Sequence, residues 1–261
     1  MTKEGIHMKQ YYFGTNMKMY KTTLDTERFL SRLTDLAKNL TFENLTLFVI
    51  PSFPSLDMAG KLLKNSPILL GAQNMHWAEE GQFSGEVSAK MLKEIGVTMI
   101  MLGHSERRHV FHETDEDLNK KVLAAAGQDM IPLLCIGETM EQKAAGVSDE
   151  TLRMQLKQDL YRFPKEKLSN LRIAYEPVWA IGVSGIPAPA DYVGRRHDCI
   201  RACLIELFGE MGHDIPILFG GSVNPANAPG YLEQKNVDGL FVGRSAWDPD
   251  HYYEMVSTLF F

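Results

Sequence analysis

The sequence predicts an α/β protein folded as a single (β/α)8 barrel. Short apolar runs alternate with amphipathic segments of helical period along all 261 residues, and such alternation is typical of parallel sheets. No Gly/Ser-rich or Pro-rich linker interrupts it, which favours one domain. An open, doubly wound sheet would alternate in the same way. However, polar residues follow the first, fourth, sixth, seventh and eighth runs, and a barrel brings all these strand ends into one ring.

The predicted strands are apolar runs of strand length, bounded by polar or turn-forming residues. They are Tyr11 to Asn16, Leu45 to Ile50, Ile68 to Gln73, Thr98 to Leu102, Ile131 to Ile136, Arg172 to Glu176, Ile217 to Gly220 and Gly239 to Val242.

The predicted helices lie between these runs. Thr22 and Thr23 precede a first helix that reaches Leu40, and Thr114 precedes another that ends at Gly127. Further helices are predicted over Ser55 to Leu63, Ser88 to Ile95, Ser148 to Leu160, Ala190 to Phe208, Asn224 to Glu233 and Pro249 to Leu259. We assign residues 10–261 to the barrel domain and residues 1–9 to an N-terminal extension.

Composition and charge restrict the partners. The formal net charge is -6 and no basic block occurs, so neither nucleic acid nor a membrane is an expected partner. No apolar run approaches the roughly 20 residues that span a bilayer, and no secretory signal pattern is present. We therefore expect a cytoplasmic protein in which Cys135, Cys199 and Cys203 are reduced thiols. Cys199 and Cys203 share a predicted helical face, and packing explains them better than a zinc site, which needs four ligands.

Glu176 is the first candidate catalytic residue. It ends the sixth run, and Pro177 after it favours extended backbone. Position alone allows two interpretations, a salt-bridged glutamate at the barrel mouth or a general base.

His104 is the second candidate. It follows the fourth run at a point where a helix can begin. A helix N-terminus and burial both disfavour imidazolium, so His104 is a candidate neutral hydrogen-bond donor to a carbonyl. His109 and His112 suggest a metal site, but their spacing matches no metal-binding motif and we assign both to the surface.

Asn16 and Lys18 follow the first run and should point to the same side, because side chains alternate along extended chain. Lys18 could polarise a substrate oxygen if an acidic partner such as Glu106 fixes it. Without such a partner it would be a solvated surface charge.

Two glycine turns are candidate phosphate sites. They are Gly220-Gly221-Ser222 after the seventh run and Gly243-Arg244-Ser245 after the eighth. Backbone N–H groups at a helix start bind phosphate, and barrels often place that site after strands seven and eight. We expect such a helix start near Asn224 and Pro225. No nucleotide-binding glycine motif occurs.

From about Tyr11 onward these segments resemble the triosephosphate isomerase family. The segments that carry the resemblance are Asn16-Met17-Lys18, Gly71-Ala72-Gln73-Asn74, Phe83-Ser84-Gly85-Glu86-Val87-Ser88, Gly103-His104-Ser105-Glu106-Arg107-Arg108, Cys135-Ile136-Gly137-Glu138, Ala174-Tyr175-Glu176-Pro177-Val178-Trp179-Ala180-Ile181-Gly182 and Gly220-Gly221-Ser222-Val223-Asn224. The resemblance implies a TIM barrel that interconverts dihydroxyacetone phosphate and glyceraldehyde 3-phosphate through an enediolate, in glycolysis and gluconeogenesis.

The resemblance also implies roles for single residues. Glu176 would move a proton between neighbouring carbons, while His104, Asn16 and Lys18, with Glu106 beside Lys18, would stabilise the enediolate oxygens. The pairing of a glutamate base with a neutral histidine is taken from triosephosphate isomerase itself. The resemblance implies phosphate binding by Asn16, Lys18, Gly182, Gly221, Ser222 and Gly243, and we add Arg244 as a further candidate. No metal or organic cofactor is implied.

Two further segments have family counterparts. Residues Pro177 to Ala188 resemble a lid that closes over the phosphate and protects the enediol from losing it. The segment around Phe83 and Ser84 resembles a loop that interdigitates between two subunits, which implies a homodimer.

The departures from the family cluster on the phosphate side. The family's usual Tyr before Gly-Gly-Ser, whose hydroxyl accepts a hydrogen bond from a lid N–H, is Phe219 here, and the lid residue that would donate aligns with Pro187, which has no N–H. Donor and acceptor are lost together, so the lid must be held differently. Arg244 replaces the second glycine of a Gly-Gly pair and could add a cation beside the phosphate.

These departures leave alternatives for function. One is a triosephosphate isomerase with neutral changes, and another is an isomerase of a four-carbon ketose phosphate such as erythrulose phosphate. A non-catalytic sugar-phosphate sensor could discard base and electrophile, yet Glu176 and His104 are both present. A Schiff-base aldolase would require a lysine where Glu176 lies.

Overall fold

A computed structural model describes residues 9–40, 43–182 and 185–261. The predicted N-terminal extension, except Lys9, and the lid residues Val183 and Ser184 lie outside the described residues. Within the described ranges, no helix combines the length and the apolarity needed to cross a membrane.

Eight parallel strands close into a barrel in which each strand pairs with the next and the eighth pairs with the first. They are β1 (Tyr11–Asn16), β2 (Leu45–Ile50), β3 (Leu69–Ala72), β4 (Met99–Leu102), β5 (Ile131–Ile136), β6 (Arg172–Tyr175), β7 (Ile217–Gly221) and β8 (Gly239–Val242). The predicted single-domain barrel is confirmed, and each predicted strand end lies within one residue of the observed end.

Helices surround the barrel. They are α1 (Thr23–Ala37), α2 (Leu56–Leu63), α3 (Ala89–Glu94), α4 (Ser105–His109), α5 (Asp115–Gly127), α6 (Met140–Ala144), α7 (Ser148–Asp159), α8 (Ala190–Phe208), α9 (Ala228–Leu232) and α10 (Pro249–Phe260). The predicted starts of α1 and α5 are confirmed by capping boxes, in which Thr22 and Thr114 accept from the third backbone N–H of their helices.

The core has two layers. The larger one fills the space between the strands and the helices, and a smaller cluster fills the barrel interior. Phe48, Met101, Leu133 and Phe241 are among the interior side chains. Because this interior is packed with apolar groups, the barrel has no open pore, and polar chemistry is confined to its ends.

One predicted helix begins at the wrong place. We expected a helix from Asn224, but α9 begins at Ala228. The Asn224 side chain accepts from the N–H groups of Ala226 and Asn227, and Asn227 Oδ1 accepts from the N–H of Asn224. These side-chain bonds replace the bonds of a first helical turn, since asparagine competes with the helix for backbone partners.

The three cysteines are free thiols, as predicted. Cys135 and Cys203 are buried, whereas Cys199 is partly exposed. Packing in the core therefore accounts for Cys203 on α8 but only in part for Cys199.

Candidate active site

One cleft lies at the carboxyl ends of the strands and has a volume of about 320 Å³. All the residues that the sequence proposed for the site line it: Asn16, Lys18, His104, Glu106, Glu176, Gly182, Gly221, Ser222, Gly243 and Arg244. They lie at the carboxyl ends of β1, β4, β6, β7 and β8 or in the loops that follow, so closure of the barrel brings together residues that are far apart in sequence.

Glu176 and His104 face each other in this cleft. His104 Nε2 lies 3.9 Å from Glu176 Oε1, and the two residues are only 2% and 6% exposed. The second carboxylate oxygen, Oε2, is buried and has no hydrogen-bond partner among the described residues. A buried carboxylate with a free oxygen is well suited to accept a proton.

Small neighbours make room for Glu176. A Cβ atom at Gly220 would lie 2.8 Å from Glu176 Cγ and 2.9 Å from its Oε1, and a Cβ at Gly137 would overlap the Glu176 backbone carbonyl. Cys135 completes the wall, where burial, followed by the nearby Glu176 charge, raises the pKa of its thiol well above the usual range. Cys135 is therefore a neutral neighbour of the carboxylate. Only the packing shows that Gly220 and Gly137 lie against Glu176.

His104 caps α4, as its position predicted. Its Nδ1 accepts a hydrogen bond from the Glu106 N–H over 3.2 Å. An imidazole nitrogen that accepts a hydrogen bond carries no proton, so this contact assigns the ring proton to Nε2. The Nε2–H group faces the cleft beside Glu176, which is the arrangement needed to donate to a substrate oxygen.

Lys18 is held rigidly. Its ammonium lies 2.7 Å from Glu106 Oε1, and its backbone is in the left-handed region at φ 50°. The Lys18 N–H donates to Asn16 Oδ1 over 2.8 Å, and Gln73 donates to Asn16 Oδ1 and to the Lys18 carbonyl. Non-glycine residues with positive φ are rare and cluster at functional sites. The expected pair of Lys18 and Glu106 is present, and it makes Lys18 a fixed cation.

Two aromatic residues in the cleft were missed at the sequence level. Tyr20 and Trp247 line it, with ring centroids 4.7 Å apart. Trp247 Nε1 also donates to the Asn16 carbonyl over 2.8 Å, which links the loop after β8 to the loop after β1. An isolated tryptophan after a predicted strand carries no chemical signature, so no sequence signal identified it.

The opposite side of the cleft offers hydrogen-bond donors. The backbone N–H groups of Ser222, Gly243 and Arg244 donate to no group in the described part of the chain. The Arg244 side chain is exposed and pairs with no carboxylate in those same ranges. Free N–H groups and an unpaired guanidinium suit an anion such as phosphate.

The lid is fastened to the barrel at both ends. Near its start, Trp179 Nε1 donates to Glu138 over 2.9 Å. Ser222 Oγ donates to the carbonyls of Ala180 and Gly185 over 2.9 and 3.2 Å. At its end, Tyr231 Oη donates to the Ala188 carbonyl over 2.7 Å. Ser222 therefore holds the lid as well as lining the cleft.

His109 and His112 do not line this cleft. His109 and His112 are exposed, as predicted. In the ranges that the structure describes, no group of three or more His, Cys, Asp or Glu side chains is arranged to hold a metal ion.

A (β/α)8 barrel with a buried carboxylate, an imidazole and a fixed ammonium in one cleft is typical of enzymes that use acid–base chemistry. The sequence model of the family described as Triosephosphate isomerase matches residues 11–259. The chain belongs to the triosephosphate isomerase family, and it is an isomerase of the aldose–ketose type.

Individual relatives have two different names. The chain is 41% identical over 247 residues to the L-erythrulose-1-phosphate isomerase of Mesorhizobium japonicum, which covers 94% of this chain and 96% of the relative. It is 39% identical over 252 residues to the triosephosphate isomerase of Dictyoglomus turgidum, and the aligned region covers 96% of this chain and 100% of the relative. A second L-erythrulose-1-phosphate isomerase, from Rhizobium etli, is 42% identical over 249 residues. The aligned region covers 95% of this chain and 92% of the relative. Identity therefore does not separate the two substrates.

Proposed function

We propose that this isomerase interconverts dihydroxyacetone phosphate and glyceraldehyde 3-phosphate. Glu176 removes a proton from the carbon beside the carbonyl and returns it to the neighbouring carbon. The Nε2–H of His104 and the ammonium of Lys18 stabilise the oxygens of the enediolate that forms between the two steps. The observation that carries this proposal is the 3.9 Å approach of His104 Nε2 to Glu176 Oε1.

The phosphate side of the cleft supports the same proposal. The free N–H groups of Ser222, Gly243 and Arg244 would bind the phosphate, and the Arg244 guanidinium would add charge. Gly182 and Gly221 line the same side, and their small size lets backbone approach the ligand closely. The lid would then exclude water from the enediolate and oppose elimination of phosphate.

The test is turnover in both directions with the purified protein. We expect isomerisation of glyceraldehyde 3-phosphate in the absence of any added cofactor, and unchanged rates after treatment with a chelator. In D2O the recovered substrate should contain deuterium at the carbon that lost its proton, and the product at the neighbouring carbon that received one, because a carboxylic acid proton exchanges with solvent. A protein that binds the substrate but neither isomerises it nor incorporates deuterium would be a sensor and not an isomerase.

L-Erythrulose 1-phosphate is the second candidate substrate, and the names of two relatives at 41% and 42% identity favour it. Relative to dihydroxyacetone phosphate, it has one extra hydroxymethyl group, on the carbon that loses the proton. The spacing from phosphate to carbonyl is the same in both. The changes at Phe219, Pro187 and Arg244 therefore do not discriminate between these substrates, and the wall near Asn16, His104 and Glu176 would have to accept the added group.

The two candidates are separated by comparing kcat/KM for glyceraldehyde 3-phosphate and L-erythrulose 1-phosphate in one preparation. One added hydroxymethyl group changes this ratio by about 10- to 200-fold when a pocket is shaped for one substrate. Faster triose turnover supports the first proposal. Weak triose turnover beside fast tetrulose turnover would replace it with the second.

We also propose a cytoplasmic homodimer. Phe83, in the loop that resembles a dimer contact, is 44% exposed, and Met19, next to Lys18, is 94% exposed. Large exposed apolar side chains of this kind are typical of subunit interfaces. Sedimentation equilibrium should give twice the chain mass, and Phe83→Glu should lower both the dimer fraction and the activity if the partner supports the Lys18 loop.

A further inference from the structure

The lid of this chain lacks the hydrogen bond that the family uses. Phe219 has no hydroxyl and Pro187 has no N–H, so the family's bond between those positions is absent. The Phe219 ring is fully buried and lies 4.4 Å from the ring of Tyr231, measured between centroids. The hydroxyl of Tyr231 therefore belongs to the side chain that packs against Phe219, the position at which the family has its tyrosine.

Tyr231 reaches the lid from α9. Its side chain is 2% exposed, and its hydroxyl donates to the carbonyl of Ala188 over 2.7 Å. Burial raises the pKa of Tyr231 above its usual value, which keeps the hydroxyl protonated and able to donate. Ala188 is itself buried at 3% exposed, so its carbonyl has no easy access to water as a substitute partner.

We propose that Tyr231 is a positioning residue that fastens the carboxyl end of the lid and replaces the bond lost at Phe219 and Pro187. The inference rests on the proposed isomerase function, because it assigns the lid a role in that reaction. Tyr231 lies outside the cleft and does not touch the substrate.

Tyr231 would affect the reaction through the lid, because its hydroxyl bonds to the last lid residue, Ala188. Pro177 joins Glu176 directly to the first residues of the lid, and Ala188 is its last residue. Between these ends, Ser222 Oγ donates to the Ala180 and Gly185 carbonyls. If the Ala188 end is released, the lid is held near its start by Trp179 and in its middle by Ser222, and its carboxyl end is free of the Tyr231 bond. The lid should then open more often during each turnover.

The first test is Tyr231→Phe, with Tyr252→Phe as the matched control. Tyr252 is also fully buried, and its hydroxyl also donates to a backbone carbonyl, that of Phe13 over 2.9 Å. Both changes remove one buried hydroxyl and keep the ring, so both should lower thermal stability by a similar amount. Only Tyr231 contacts the lid.

The decisive readout is the ratio of inorganic phosphate released to substrate isomerised. An enediolate that is exposed to water expels its phosphate, because the enediolate electrons form a new double bond as the C–O bond to phosphate breaks. We expect Tyr231→Phe to raise this ratio and lower kcat by roughly tenfold, the effect of one lost hydrogen bond that strands its carbonyl. Tyr252→Phe should leave the ratio at the parent value. Equal ratios in the two variants would overturn the inference.

A second readout needs no substrate. Amide hydrogen exchange at Gly185, Ile186 and Ala188 should accelerate several-fold in Tyr231→Phe and remain at the parent rate in Tyr252→Phe. If the parent protein isomerises neither sugar phosphate, the proposed function is wrong, and the exchange rates still decide whether Tyr231 holds the lid. If the parent is active but exchange is the same in both variants, the inference is wrong and the proposed function stands.

Discussion

The two halves of the cleft differ in how they hold their functional groups. We assign proton transfer to one half, the catalytic half, and phosphate binding to the other, the phosphate half. In the catalytic half, side chains of Asn16, Lys18, His104 and Glu176 face the cleft, and each of the first three is fixed by hydrogen bonds within its own segment or to another loop. In the phosphate half, backbone N–H groups face the cleft and side chains mainly hold the lid. Proton transfer requires particular side chains, whereas backbone N–H groups are available from many sequences. The departures from the family at Phe219, Pro187 and Arg244 cluster on the phosphate side.

The largest expected effect is that of Glu176→Gln in the catalytic half. The amide keeps the size of the carboxylate but cannot accept the substrate proton. We expect kcat to fall by about 10³- to 10⁴-fold, near the upper end of general-base contributions, while the affinity for inorganic phosphate stays within a few-fold of the parent. A loss of phosphate affinity as large as the loss of kcat would show that the two halves are not separate.

His104→Gln should have the next largest effect. Glutamine retains a donor but loses the Nδ1 atom that accepts from the Glu106 N–H, so the donor is no longer aimed by the α4 terminus. Removal of one aligned donor to an oxyanion lowers kcat by about 10²- to 10³-fold. Steady-state kinetics measures kcat and KM together. A rise in KM without a fall in kcat would contradict the assigned role.

A pH-dependent loss of stability is expected from His197, which lies behind the phosphate half. Its ring is fully buried between Tyr175 and Phe219, and burial lowers its pKa from 6.5 to about 4. Between these values the unfolded chain binds a proton that the folded chain does not. The contribution of buried His197 to the free energy of unfolding is therefore complete above pH 6.5 and is lost as pH falls toward 4. This loss is on the order of 3 kcal/mol in total.

Urea unfolding at several pH values measures this effect. In His197→Gln the slope of unfolding free energy against pH should become shallower between pH 6.5 and 4, the interval set by the unfolded and folded pKa values of His197. The exposed His251 provides the control, since His251→Gln should keep the parent slope. An unchanged slope in His197→Gln would show that other groups produce the acid sensitivity.

The smallest expected effect is that of Arg244→Gly, which restores the residue usual in the family. The guanidinium is exposed and screened by solvent, so its removal should raise KM by a few-fold and leave kcat nearly unchanged. Added salt should raise the KM of the parent more than that of the variant. A fall in kcat comparable to that of His104→Gln would place Arg244 in the catalytic half.

The fold was predictable because its signals are local. Alternating apolar runs and helical segments identified every strand to within one residue, and Thr22 and Thr114 identified two helix starts. The start of α9 was predicted wrongly because the side-chain bonds of Asn224 and Asn227 compete with a helical turn. The choice between helix and turn in that segment depends on which partners these short side chains reach.

The sequence by itself determined the family and the residues proposed for the site, because each of those residues lies in a short motif at the end of a strand. Only the tertiary structure revealed the contacts between distant segments: Trp247 on the Asn16 carbonyl, Gly220 against Glu176, and Tyr231 on the Ala188 carbonyl. Each of these contacts joins residues more than forty positions apart, or on different strands. Their geometry exists only after the barrel has closed, which is why no local pattern in the chain could indicate them.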